Sequence, residues 1–239
     1  MPTIVMASSK GGAGKTTASV LLAGEFARQG MEKGLGVTLI DGDPNQHSAK
    51  WAKKPGCPKN ITLVENATEE TIVDEIEAAE LATPFVIVDL EGTASMAVAN
   101  AISRADMVVI MCQASQDDID EAVKTIKLIK RQEKVLRRVI PYSVLFTRTS
   151  PAIITNTFKF VISEFEKAGV EMFRNHIMER EAFKAIRSYG GIVNDLDVGS
   201  KVANAKAAEN VRSLVNEVKQ RLLSASVSES GTASEGEGR

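Results

Sequence analysis

The feature that most constrains this chain is its opening stretch, an apolar strand that runs straight into a glycine-rich turn and then a helix. Thr3–Ala7 is apolar enough to be covered on both faces, and Ser8-Ser9-Lys10-Gly11-Gly12-Ala13-Gly14-Lys15-Thr16-Thr17 follows at once. Glycines allow the N–H groups of a turn to point inward unobstructed, and the helix that follows adds the positive end of its dipole. In that setting Lys15 neutralises phosphate charge and the Thr16 hydroxyl is placed to ligate Mg²⁺. The common pattern G-x-x-x-x-G-K-[ST] would put glycine at position 9. This chain has Ser9 there, and an additional lysine, Lys10, beside it.

Downstream, short apolar runs alternate with segments of helical period. Strands are expected at Thr3–Ala7, Val37–Ile40, Ile61–Val64, Phe85–Asp89, Met107–Met111 and Tyr142–Phe146. Helices are expected at Lys15–Gln29, Glu69–Ala79, Ala94–Ser103, Asp118–Leu136 and Thr155–Lys167, with Asp117 or Asp118 as the cap ahead of Ile119. The alternation implies right-handed crossovers and an α/β fold: a doubly wound, mostly parallel sheet with helices on both faces. A last helix, about Asn204–Leu223, carries Val211, Leu214, Val215, Val218 and Leu222 on one stripe, a face for packing on the sheet. Residues 224–239 are mainly Ser, Gly and Glu, and are expected to be a disordered polar tail after a single domain spanning 1–223.

The composition excludes several classes. A net charge of −2 rules out a polycation, so nucleic-acid binding needs a local patch. Cys57 and Cys112 are far apart without metal-ligand spacing, which argues for a reducing compartment and against a disulfide framework. No apolar run is long enough to span a membrane, and the chain is expected to be cytoplasmic, without stable membrane insertion.

The run Lys-Gly-Gly-Ala-Gly-Lys-Thr-Thr resembles the deviant Walker A motif of the ParA/MinD superfamily of P-loop ATPases. Two more segments agree: Val37-Thr-Leu-Ile-Asp41-Gly-Asp43-Pro44-Asn45-Gln46 is similar to the family's second acidic motif, and Phe85-Val-Ile-Val-Asp89 to its Walker B strand. The resemblance implies an ATPase with ATP and Mg²⁺ as cofactors, closing into a homodimer around the nucleotide. It implies that Lys10, Gly11, Gly12, Ala13, Gly14, Lys15, Thr16 and Thr17 cradle the phosphates, with Lys10 reaching the partner's nucleotide. By the same match Asp43 orients the attacking water, while Thr16, Asp41 and Asp89 form the metal side of the site. Thr147 and Arg148 fall where relatives contact adenine. Such roles suit phosphoryl transfer, which rests on positioning and charge neutralisation. One departure stands out: family members commonly continue the Walker B Asp with Thr-Pro-Pro, whereas Leu90-Glu91-Gly92-Thr93 follows here.

Within the superfamily, nine residues precede Lys10, so the N-terminal helix-turn-helix domain of larger partition ATPases is not expected. The last helix lacks the character of a membrane-targeting helix, and the cysteines do not match those of nitrogenase-iron-protein relatives. The short ParA class remains, with DNA partition or cargo positioning as its implied work and a small ParB-like activator or adaptor as partner. Asp118-Ile-Asp-Glu-Ala122 and Met178-Glu-Arg-Glu-Ala-Phe183 resemble VirC-type ATPases of conjugative or T-DNA transfer, which implies transfer proteins as alternative partners. A metabolic P-loop kinase or synthetase is a third reading, against which Lys10 counts. For non-specific DNA, Lys124, Lys127, Lys130, Arg131, Lys134, Arg137 and Arg138 form a run with one acid, Glu133. Lys201, Lys206, Arg212, Lys219 and Arg221 are a second candidate set, and His47 and His176 show no catalytic pattern.

Overall fold

In the computed structural model, residues 1–92, 95–150 and 153–233 are described, with side chains as far as Ala225. Seven strands make one wholly parallel sheet: β1 Thr3–Ala7, β2 Val37–Gly42, β3 Ile61–Glu65, β4 Val86–Leu90, β5 Met107–Cys112, β6 Tyr142–Thr149 and β7 Ile177–Met178. Their order is β3-β2-β4-β1-β5-β6-β7. Four strands, β1, β2, β4 and β5, are buried almost throughout, which explains why their sequences read as continuous apolar runs rather than alternating ones. From β1 the chain winds one way through β2 and β3, then returns to β4 beside β1 and crosses to β5 on the other flank. The loop after β1 therefore opens at the crevice where doubly wound sheets bind ligands.

The helices are α1 Lys15–Met31, α2 His47–Ala52, α3 Ile72–Ala82, α4 Met96–Arg104, α5 Gln116–Leu136, α6 Asn156–Lys167, α7 Glu181–Tyr189 and α8 Lys201–Ala233. One apolar layer gathers α1, α7 and α8 with Trp51 of α2; the other gathers α3 to α6. Trp51 is 1% exposed and its Nε1–H donates to Gly191 O at 3.0 Å, so this side chain serves packing. Truncating a buried aromatic of this kind costs about 3–5 kcal/mol.

All six expected strands form. Ser115, not Asp117 or Asp118, caps α5: its hydroxyl accepts from the Asp118 N–H, because a short side chain in extended backbone reaches that amide directly. The stripe of the last helix packs as expected, with Val211, Leu214, Val215 and Val218 buried. The helix is longer than its stripe, however. Its backbone continues to Ala233, through a stretch without glycine or proline until Gly231 that can extend the hydrogen-bond ladder. Residues 234–239 of the expected tail, and Ala94 of the expected fourth helix, lie outside the described residues. Both cysteines are free, Cys112 buried and Cys57 half-buried. Among the described residues no helix is long and apolar enough to cross a membrane.

Candidate phosphate and metal site

The loop from Ser8 to Gly14 leaves the centre of the sheet and delivers Lys15 as the first residue of α1. Gly12 and Gly14 adopt φ of +78° and +103°, conformations that favour glycine. A Cβ on Gly14 would also stand 3.2 Å from Thr147 Cγ2. Thr147 closes that contact by donating its hydroxyl to Ala13 O at 2.7 Å, tying β6 to the loop. Lys15 is 6% exposed. Burial lowers its pKa, and Asp89, Asp43 and Glu91 oppose that shift, so three carboxylates surround one ammonium. The Glu91 that departs from the family pattern is thus within electrostatic reach of Lys15. Its neighbour Gly92 is equally placed: a Cβ there would collide with Lys10 O and stand 2.8 Å from Lys15 Nζ. The reading of the sequence gave Gly92 no role, although its signal was a glycine three residues past the strand aspartate.

Parallel register sets the acidic pair. Asp41 on β2 and Asp89 on β4 are directly opposed, and both are wholly buried. Asp41 is committed to backbone: one oxygen accepts from Asp43 N–H at 3.0 Å and the other from Ala49 N–H at 2.8 Å. It therefore shapes the loop that carries Asp43. Gln46 adds to this by donating to the carbonyls of Asp41 and Asp43. Asp43 itself is half-buried, and its carboxylate accepts from Asn45 N–H at 2.8 Å and from the Asn45 amide at 3.0 Å.

Asp89 contrasts with Asp41, since neither of its oxygens has a hydrogen-bond partner among the described residues. Burial first, then repulsion from Asp41, pushes its pKa up to about 7, against the pull of Thr16, Ser48 and Lys15. A buried carboxylate of this kind beside a second one fits a cation. Among the described residues no cluster of three or more His, Cys, Asp or Glu side chains forms a metal cage. One free carboxylate, a hydroxyl and space for phosphates is instead the donor set that Mg²⁺ takes, since it keeps several waters and borrows oxygens from a bound nucleotide.

Lys10 is placed differently from its neighbours. Its ammonium lies 2.7 Å from Asp118 of α5, and Ser9 donates to Glu121 on the same helix at 2.5 Å and to Glu121 O at 2.8 Å. Gln113, just ahead of α5, donates to Gly12 O at 3.1 Å. Ser9, Lys10 and the Gly12 carbonyl thus fasten the loop to α5 and the residue just ahead of it, including the Asp118–Ala122 segment noted in the sequence.

Beside the loop a cavity of about 900 Å³ opens, bounded by Gly14, Thr17, Thr147, Arg148, Met178 and Arg180. Arg148 is exposed with φ +53°, and α2 and α7 supply the far wall. The helix after Pro44 that carries Trp51 is legible in the sequence, whereas α7 and β7 are not among the expected elements, although the Met178–Phe183 segment noted there reaches both. His47 borders this cavity, while His176 stacks edge-on against Phe146 and Phe158 in the core.

Comparison with known proteins agrees with this geometry. The VirC1 protein family model matches residues 1–230. The ParA protein of Rhizobium radiobacter is 37% identical over 226 residues, covering 94% of this chain and 99% of that protein. The virC1 protein of the same organism is 27% identical over 231 residues, covering 91% and 94%. Among solved structures, an ATP complex of a Cyanothece McdA variant superposes with a TM-score of 0.72 at 16% identity, covering 92% of this chain and 96% of that one. The MinC:MinD cell division complex of Aquifex aeolicus gives 0.69 at 17%, covering 92% and 96%. The glycine loop, the opposed Asp41 and Asp89, the wholly parallel sheet and these matches together mean that this chain belongs to the VirC1 family, within the ParA/MinD superfamily of P-loop ATPases.

Proposed function

We propose that this protein is an ATPase that dimerises around ATP–Mg²⁺, binds DNA without reading its sequence, and uses that switch to partition DNA or position cargo. The observation that carries the reading is the buried Lys15 in electrostatic reach of a buried Asp89 that has no hydrogen-bond partner among the described residues, with a cavity of about 900 Å³ opening beside the same loop at Gly14 and Thr17. Residues 10–17 cradle the phosphates, Lys15 neutralises their charge, and Thr16 with Asp89 holds the cation. Asp41 acts through the Asp43 loop it pins, and Asp43 orients the attacking water. Arg148 and the wall around Met178 and Arg180 take the base, while Thr147 supports the loop. Lys10 leaves Asp118 to reach the partner's nucleotide. Two matches favour different settings for the same switch: the ParA relative at 37% identity supports partition, and the VirC1 family model supports an accessory role in DNA transfer.

Sedimentation of Asp43→Ala protein with ADP or ATP–Mg²⁺, with and without non-specific duplex DNA, tests the reading. The expected result is an ATP-only dimer that gains DNA binding. A dimer that ignores DNA would move the cargo to protein, and the absence of any nucleotide-dependent dimer would overturn the switch.

A further inference from the structure

Three of the six buried polar side-chain atoms that lack a hydrogen-bond partner among the described residues belong to two side chains, Ser48 and Asp89. Both residues are 0% exposed. Leaving a buried hydroxyl or carboxylate unpaired costs about 1–3 kcal/mol per group, and native structures leave few such groups without cause. Ser48 is also held in place. It lies in α2, and the next residue, Ala49, donates its N–H to the Asp41 carboxylate that stands opposite Asp89. The serine hydroxyl is near enough to Asp89 to favour its ionised form, yet their geometry falls short of a hydrogen bond.

We propose that Ser48 is a positioning residue for the divalent cation, its hydroxyl turning to donate to one oxygen of Asp89 so that the other faces the cation's water shell. This rests on the phosphate-site reading above and adds a residue to it. Asp89 has two oxygens and no backbone partner, so some second group must fix its orientation once a cation is present. Ser48 is the buried donor on the side where Asp41 is already fully engaged. Because Ser48 follows Asp43 by little more than one helical turn of chain, the same contact links cation binding to the position of the Asp43 loop. Outer-shell partners of this kind carry ten- to hundred-fold in metal affinity.

The test is calorimetric titration of ADP into Ser48→Ala and Ser48→Cys proteins across a series of Mg²⁺ concentrations and again in excess EDTA. Cysteine preserves the volume at a fully buried position, so the proposal stays testable if the alanine protein does not fold. The expected result is that the Mg²⁺ concentration for half-maximal tightening rises ten-fold or more, with ADP affinity in EDTA unchanged. An unaltered Mg²⁺ dependence overturns the role. So does an equal loss of ADP affinity with and without Mg²⁺, which would mark Ser48 as packing only. Wild-type protein that binds ADP without any Mg²⁺ dependence would instead overturn the metal-site reading on which the proposal stands.

Discussion

The Lys10 ammonium and the Asp118 carboxylate of the same chain form an ion pair of 2.7 Å, with the carboxylate side chain only 4% exposed. The lysine that the proposed function sends to a second chain's nucleotide is here held by α5 of its own chain. Freeing it must come before, or together with, dimer closure, and that requirement lowers the fraction of chain ready to dimerise.

Asp118→Asn is therefore expected to promote the proposed dimerisation. The substitution removes the charge yet keeps an oxygen that can accept from the Ser115 hydroxyl, which bonds this side chain in the structure. A half-exposed pair of this type contributes about 1 kcal/mol, so the expected gain is about five-fold in the apparent dimer constant with ATP–Mg²⁺. Sedimentation equilibrium reads this directly. An unchanged or weaker dimer would mean that the pair does not oppose closure.

Much of this site is legible in the sequence because its parts are local. Residues 8–17 form one continuous loop, and Asp41 and Asp89 each end an apolar strand, so spacing alone marks them. What spacing cannot show is register. Asp41 faces Asp89 only because β2 pairs with β4 rather than with β1. The strand β7 has two residues, too short for periodicity to show, and Ser48, on the six-residue helix that carries Trp51, belongs to no motif that would mark it. The helix α7 was within reach, since Ala182, Phe183, Ala185 and Ile186 make a buried stripe, but its nine residues follow a strand too short to frame it. Lys10 was assigned by resemblance to a partner chain, and its contact with Asp118 depends on long-range packing that no local pattern contains.

Gly92→Ala tests how closely β4 must approach the loop. The added methyl would meet Lys10 O and stand 2.8 Å from Lys15 Nζ, so the loop or the lysine must shift. No positive φ is involved, and the fold should tolerate alanine on backbone grounds. The expected outcome is a loss of more than ten-fold in ADP affinity by calorimetry with a melting temperature close to wild type, since an ångström-scale misplacement at a phosphate site is costly. Unaltered affinity would show that the loop yields freely there.

Acid stability should depend on Glu217. Burial pushes its pKa up, but N–H groups of Arg174 and Asn175, the Asn175 amide and Arg221 all donate to it and bring it below 4.5 on balance. As pH falls below about 4.5, the unfolded chain takes up this proton before the folded one does, so the stabilisation present at neutral pH is lost in that window. Glu217→Gln removes the preferred acceptor and should cost about 1–3 kcal/mol at pH 7, and it should flatten the acid limb. Urea midpoints measured from neutral to acid pH give the comparison; parallel curves for the two proteins would remove the role.

The basic run on α5 yields the last prediction, because the structure divides it. Lys124 pairs with Glu121 at 2.7 Å and Lys130 with Glu133 at 2.8 Å, while Arg138 donates to the carbonyls of Ser103 and Ala105. Lys127, Arg131, Lys134 and Arg137 are exposed and form no ion pair among the described residues. Only the second group holds its charge in reserve for phosphates. Each phosphate neutralised on duplex DNA contributes about 0.9 to the slope of log affinity against log salt. Changing Lys127, Arg131, Lys134 and Arg137 together to glutamine should therefore lower the slope of the ATP-bound Asp43→Ala dimer by up to roughly 3.6 per chain engaged. Changing Lys124 and Lys130 should move it much less. Fluorescence anisotropy with a labelled non-specific duplex, repeated across a salt series, separates the two sets. Equal slopes in both variants would place the DNA surface elsewhere, with the basic residues of α8 as the next to examine.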